Sequence, residues 1–395
     1  MESMKLGRGL PMESMKLGRG LPPHIVREIL RRLVISNLPN LRVVSKTWNL
    51  FILDYAHEFS STNANAFLLS TSDTGPGNKD LNPKMYCIHF DTTKHLDLDL
   101  DFDLELEWTK PPSLSFDGDW SFIPMMDNSC NGLVFIRKCA FFSRSDGIFN
   151  PMTNEFLQVP RHELDGDNYF YGLGFSPTTK QYKMFRVNPN NNSSIMYILT
   201  FRRSETNYKY NQWRQLHSLP ILICCDGVYL NGFIYWMGRK QYKENEYTIY
   251  ALNVETEQIE LSAVLHLGPF STSSIPGVSL KQFNGSVYAT FYIDPKTCNS
   301  VIQVWRMQEK DLWIKEFVID DIPNNWCSLT LIKAFEDGEI LCMVNLDFFC
   351  WYNSFTGRKK IVTKNQKKCR YVCEIEYLNF GLLPNILAGE ESEKT

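Results

Sequence analysis

Gly227-Val-Tyr-Leu-Asn-Gly-Phe-Ile-Tyr-Trp236 is a short hairpin written in sequence. Its centre, Asn231-Gly232, suits a tight turn whose two central residues both take positive φ, a geometry Asn and Gly tolerate best. The apolar and aromatic residues on either side favour strands. The signal recurs along the chain. Asn131-Gly132, Asn284-Gly285 and Asp337-Gly338 precede the apolar runs LVFI, SVYATFYI and EILCMV. Gly232, Gly285 and Gly338 are spaced 53 residues apart, and Gly132 lies 100 residues before Gly232. A second turn signal follows several of these strands: Asn150-Pro-Met-Thr153, Asn253-Val-Glu-Thr256 and Asn353-Ser-Phe-Thr356. Trp213, Trp305 and Trp313 fall in the strand regions.

A period near 50 with several short strands per unit predicts a kelch-like β-propeller of about six blades. An irregular β-sandwich with coincidental spacing is the alternative. Upstream, 66–70 and 85–90 read as further strands, separated by a Gly- and Pro-bearing loop. Residues 95–108 alternate strictly between apolar side chains and the carboxylates Asp97, Asp99, Asp101, Asp103, Glu105 and Glu107. Period two predicts a strand with one acidic face. Carboxylates spread along a strand do not converge on one ion, so that face reads as solvated.

The N-terminal part has a different period. Residues 21–51 read LPPHIVREILRRLVISNLPNLRVVSKTWNLF. Pro22 and Pro23 suit a first helical turn. Ile25, Ile29, Leu30 and Leu33 recur at helical spacing, with Arg27, Glu28, Arg31 and Arg32 opposite. Ser36 is a fitting N-cap for a second helix whose stripe is Leu38, Leu41, Val44 and Trp48. Two such helices bury little surface alone and need a partner, inside the chain or outside it.

These residues resemble the F-box. The matches are Leu21-Pro22, Glu28-Ile29-Leu30 with Arg32-Leu33, Leu38, Leu41-Arg42-Val43-Val44 and Lys46-Thr47-Trp48. Val34, Ser45 and Pro39 depart from the pattern, and none puts a charge on the apolar face. The resemblance implies docking to a Skp-family adaptor through Leu21, Pro22, Ile25, Ile29, Leu30, Leu33, Leu38, Leu41, Val44 and Trp48, and through the adaptor to cullin and RING subunits. A second resemblance covers about residues 128–240. Ser129-Cys-Asn-Gly-Leu133, Phe149-Asn-Pro-Met-Thr153, Gly172-Leu-Gly-Phe-Ser-Pro177 with Tyr182-Lys183, and the 227–236 hairpin are similar to the F-box-associated domain of plant F-box proteins. Together they imply a substrate-recognition subunit of an SCF-type ubiquitin ligase, itself without catalysis.

The remaining features bound this reading. A net charge of −3 does not point to a nucleic-acid surface. No apolar run of membrane-spanning length and no secretory leader is present, so membranes are not expected partners. Eleven scattered cysteines, an odd number without Cys-x-x-Cys, predict reduced thiols in the cytosol or nucleus. The chain lacks nucleophile-elbow, phosphate-loop and His-Glu-x-x-His motifs, and its seven histidines are dispersed. No cofactor or metal is expected. A propeller enzyme, or a scaffold or glycan-binding module with a vestigial F-box, are the other readings.

Residues 1–11 recur letter for letter at 12–22. The copy reads as a duplicated beginning, with Met12 an adequate start; a basic targeting tail is the alternative. The expected organisation is a tail over 1–20, the F-box over 21–60, the β domain over 61–385 and a polar tail over 386–395. The polar stretches 188–194, 202–212 and 238–246 are candidate target contacts.

Overall fold

Asn131, Asn231 and Asn284 have φ values of 49°, 49° and 48°, and the glycines after them 76°, 84° and 73°. Both central residues of each turn are left-handed, which matches the twist of the flanking strands. The computed structural model describes residues 22–32, 48, 65–70, 84–88, 106–107, 124–138, 146–150, 155–160, 162, 169–179, 181–190, 192–202, 209–210, 212–240, 246–268, 275, 277–294, 300–322, 328–335, 337–345, 348–362 and 369–375. Gly338 departs from the other turns. It is left-handed, at 82°, while Asp337 is not. Asp337 instead accepts the Glu339 N–H on its own carboxylate at 3.1 Å, and Gly338 donates to the Phe335 carbonyl at 3.1 Å. The result is a longer turn with one left-handed glycine.

The chain begins with helix α1, Pro23–Arg32, followed by β1 (Asn65–Ser70), β2 (Lys84–Ile88) and β3 (Leu106–Glu107). Blade 1 comprises β4 (Pro124–Cys130), β5 (Leu133–Lys138), β6 (Gly147–Asn150) and β7 (Glu155–Gln158). Blade 2 comprises β8 (Phe170–Ser176), β9 (Gln181–Asn190) and β10 (Ser193–Arg202), with β11 (Lys209–Tyr210) and β12 (Arg214–Leu219) both on β10. In blade 3, β13 (Leu222–Ile223) and β14 (Val228–Leu230) share β15 (Phe233–Arg239), followed by β16 (Glu246–Asn253) and β17 (Ile259–His266). Blade 4 is β18 (Gly277–Phe283), β19 (Ser286–Ile293), β20 (Ser300–Glu309) and β21 (Leu312–Ile322). Blade 5 is β22 (Leu329–Ala334), β23 (Glu339–Val344), β24 (Phe348–Asn353) and β25 (Lys359–Val362). Finally β26 (Cys369–Ile375) returns to pair with β1, giving a closing sheet ordered β26-β1-β2-β3.

The innermost strands meet in a ring. β26 approaches β4, β4 approaches β8, and the sequence continues through β14, β18 and β22 back to β26. The fold is a β-propeller behind an N-terminal helix, mainly β as the spacing predicts. Against an expectation of about six blades, five run consecutively over 124–362, and one further sheet is assembled from both ends of the domain. Of the acidic alternation at 95–108, Leu106–Glu107 is strand β3, and the rest lies outside the described residues.

Side-chain alternation explains how the blades stack. On β15, Ile234 and Trp236 point into the apolar cluster shared with blade 2, while Tyr235 and Met237 point into the one shared with blade 4. On β19, Val287, Ala289 and Phe291 face blade 3, and Tyr288 and Tyr292 face blade 5. The period of two therefore assigns alternate residues to two different blade interfaces. Middle strands, covered on both sides, read as nearly unbroken apolar runs. β23 is buried throughout, whereas the outer strand β17 buries only Ser262 and Leu265.

Candidate functional site

The Pro22 carbonyl accepts the N–H groups of Ile25 and Val26 at 3.0 and 3.2 Å, and the helix starts at Pro23. Pro23 lacks an N–H where none is needed. Val26 is 0% exposed, Ile29 is half-buried, and Ile25 is 39% exposed. Spacing places Ile25 and Ile29 on one apolar face; Val26, outside that spacing, is the buried residue. The helix sets Val26 and Ile29 on the covered side and leaves Ile25 at its margin, accessible to a partner. A moment summed over the helix cannot choose between adjacent apolar positions. Trp48 is helical and half-buried, and Pro22 is exposed. Leu21, Leu33, Leu38, Leu41 and Val44 lie outside the described residues, and the side chain of Leu30 does too.

Two of the β-domain motifs, 172–177 with 182–183 and 227–236, form joints between blades. A Cβ placed on Gly172 would come within 2.7 Å of Trp236 Cζ2, and one on Gly227 within 2.6 Å of Trp236 Cε2. A Cβ on Gly174 would meet Val254 Cγ2 at 2.6 Å. The glycines of blade 2 are bare because the large residues of blade 3 lie directly on them. Trp236 is fully buried, and its Nε1 has no hydrogen-bond acceptor.

Lys183, from the Tyr-Lys pair, is 5% exposed. Its Nζ donates to the Val254 carbonyl at 2.8 Å and pairs with Glu257 Oε1 at 2.8 Å. Arg214 also pairs with Glu257. Glu257 has a φ of 62°, unusual for a residue with a Cβ. Partial burial alone would raise its carboxyl, but the hydrogen bonds and charges of Lys183 and Arg214 outweigh that and hold it below its ordinary value. Thus two charges and one strained residue fasten blade 3 to blade 2.

A third tie joins three blades. The Tyr171 hydroxyl donates to Asp146 Oδ2 at 3.0 Å. Its N–H donates to Asp226 Oδ1 at 2.6 Å, and its carbonyl accepts the Gly227 N–H at 2.8 Å. The Arg186 guanidinium, fully buried, lies 4.3 Å from the Tyr169 ring centre. Burial and the Asp146 carboxylate push the Tyr171 hydroxyl far above its usual range. Such a group donates its hydrogen bond at any ordinary pH. His162 packs on Tyr197 and Trp213, and His217 Nε2 lies 2.7 Å from the Glu257 carbonyl. Among the described residues no three His, Cys, Asp or Glu side chains converge as metal ligands would.

Topology sorts the turns onto two faces. The first-to-second and third-to-fourth strand turns share the face carrying the Asn-Gly dipeptides. Hydrogen bonds tie those turns together: Val254 N–H to the Gly232 carbonyl and Ser354 N–H to the Gly338 carbonyl, each at 2.9 Å. The connection at 238–246 joins second to third strands and belongs to the opposite face. So does 188–194, most of which is strand rather than loop: β9 runs to Asn190 and β10 starts at Ser193. Polar composition there reflects an exposed hairpin end, where pairing continues regardless of polarity. The connection after β10, within 202–212, leaves from the Asn-Gly face. The three stretches therefore cannot form one contact surface.

Comparison with known proteins gives the family. The family described as "F-box associated beta propeller domain" matches residues 105–364, and that described as "F-box domain" matches 20–56. An F-box protein of Arabidopsis thaliana is 24% identical over 327 residues, covering 75% of this chain and 71% of its own. Among solved structures, TolB from Acinetobacter baumannii resembles the chain with a TM-score of 0.45 at 8% identity, over 79% of this chain and 66% of that one. A protein from Lactobacillus plantarum does so with a TM-score of 0.41 at 8% identity, over 78% and 83%. A family match spanning more than half of the sequence, with an F-box match ahead of it, shows that this chain belongs to the F-box proteins with an associated β-propeller domain.

Proposed function

We propose that this chain is the substrate-recognition subunit of an SCF-type (Skp–cullin–F-box) ubiquitin ligase. The observation that carries the reading is the order of the two matched modules, an F-box over 20–56 and a propeller over 105–364. The F-box, taken as 21–60, docks a Skp-family adaptor through the stripe Leu21, Pro22, Ile25, Ile29, Leu30, Leu33, Leu38, Leu41, Val44 and Trp48. The adaptor brings cullin and RING subunits. The β domain, taken as 61–385, captures a target protein. Neither part carries out chemistry or needs a cofactor. The chain acts by proximity, raising the effective concentration of the target at the ubiquitin-transferring subunits. Its place of action is the cytosol or nucleus, where reduced cysteines are stable.

The test is co-purification of a Skp-family adaptor with the wild-type chain and with Leu41→Asp. An aspartate in the middle of the second stripe forfeits apolar burial of about 1.5–3 kcal/mol and leaves a carboxylate unpaired. Binding should be lost while the thermal melt of the β domain stays in place. Retained binding refutes the assignment. A chain that never binds an adaptor is a propeller scaffold instead.

A further inference from the structure

The turns at 253–258 and 353–358 share one backbone mould. In each, the asparagine Oδ1 accepts two N–H groups, from Glu255 and Thr256 in blade 3 and from Phe355 and Thr356 in blade 5. The fifth residue, Glu257 or Gly357, is left-handed and donates to the asparagine carbonyl at 2.8 Å. The asparagine N–H returns to the carbonyl of Gln258 or Arg358. Two identical moulds in one ring allow a direct comparison of what each does with its side chains.

Blade 3 directs them inward. Glu255 accepts from Thr178 of blade 2 at 2.8 Å, and Glu257 pairs with Lys183 and Arg214. Blade 5 directs them outward. Phe355, at the position of Glu255, is 76% exposed, more than any other large apolar residue described. It leans over Gly338, whose missing side chain leaves room for it. Arg358, Lys359 and Lys360 follow it and are exposed. Lys359 turns back to the Asp320 carbonyl at 2.5 Å. Of the carboxylates beside this turn, Asp337 accepts the Glu339 N–H and Glu339 accepts from the Asn353 side chain. The sequence then continues through Lys364, Lys367, Lys368 and Arg370, seven cations with no carboxylate between 358 and 370. The turn thus sets one exposed aromatic ring beside a run of a single sign of charge, a combination that suits an acidic partner carrying an apolar side chain.

We propose that Phe355, Arg358 and Lys360 form a docking surface on the Asn-Gly face for an acidic segment of a target protein, with one apolar side chain of that segment seated against the Phe355 ring. The surface rests on the reading of this chain as a target receptor and names the chemistry of what it receives. Charge complementarity selects the acidic segment, and the ring fixes its register.

The probe is a synthetic fluorescent peptide of glutamates with one central leucine, titrated against the full chain in complex with its adaptor. Binding should be measurable at low salt and weaken as salt is added. It should fall about tenfold or more in Phe355→Ser and in the double variant Arg358→Glu/Lys360→Glu. Lys240→Glu, on the opposite face, should leave it unchanged. Absence of peptide binding by the wild type, equal binding by all variants, or tighter binding of a single-stranded RNA oligonucleotide would each overturn the proposal. Adaptor co-purification with the same variants separates the two readings. Variants that keep the adaptor but lose the peptide support the surface. Peptide binding by a chain with no adaptor would refute the receptor reading and leave the surface standing.

Discussion

The indole of Trp236, on the second strand of blade 3, lies against the bare Cα of Gly172 on the first strand of blade 2, so closely that an added methyl would stand 2.7 Å from its ring. Overpacking of this kind costs about 1–3 kcal/mol, because a close-packed interface cannot yield on one side alone. Gly172→Ala should therefore lower the unfolding midpoint of the β domain. Gly232→Ala has open space around it and pays only for a left-handed alanine, about 1 kcal/mol. Adding Trp236→Phe to Gly172→Ala should recover part of the loss, and a double-mutant cycle on denaturant midpoints measures the coupling. Strict additivity would refute the contact.

Lys183→Met should destabilise the β domain by about 3 kcal/mol, since it removes one partner of a mostly buried pair and leaves the Val254 carbonyl without its donor. Chemical denaturation of the two chains provides the measurement.

Glu257 gives that pair a pH signature. Its folded-state pKa is depressed, so its contribution is present above the ordinary carboxylate value of 4.5 and is lost as pH falls through the lower folded value. Glu257→Gln should be less stable than wild type at neutral pH, and the two melting curves should converge as pH falls through the lowered folded value. A constant difference down to acid pH would show that the carboxylate is not the group responsible.

Ile25 and Val26 are neighbours with opposite fates, one exposed and one fully buried. Ile25→Asp should leave the helix in place and abolish adaptor binding, since about 4 kcal/mol weakens an affinity roughly a thousandfold. Val26→Asp should instead unfold the helical module, by burying a carboxylate with no partner. Helix content by circular dichroism of a fragment over 12–60 distinguishes them, alongside the adaptor pull-down.

Deleting residues 1–11 should change neither the adaptor affinity nor the melt, because the second copy alone continues into α1. A tenfold weaker affinity would give the first copy a role.

Much of the architecture was legible because propeller blades rest on local signals. Asn231-Gly232 dictates its turn by backbone sterics alone, and its recurrence gives the period. The blade joints were not legible. Nothing in the spelling of Lys183 says that its partner is Glu257, since the two meet only when separate blades stack. Gly172 and Gly174 say nothing of packing until Trp236 and Val254 are placed upon them. The exposed ring was not legible for a related reason: nothing in the sequence sets Phe355 apart until its turn is laid beside the one at 253–258, where Glu255 takes the same position and reaches Thr178.

The pairing of β1 with β26 also governs how the chain comes into being. Leu68 meets Val372 across this seam, so the earliest strand of the domain waits for one made some three hundred residues later. Such distant partners make closure slow relative to the local hairpins. During synthesis helix α1 of the F-box emerges first, while the ring is still open. On the proposed reading, a chain cut after β3 and before residue 369 would keep the adaptor-docking segment with an unclosed propeller, β1 lacking its β26 partner. If the proposed docking holds, such truncation predicts interference with other proteins that use the same adaptor, rather than simple loss.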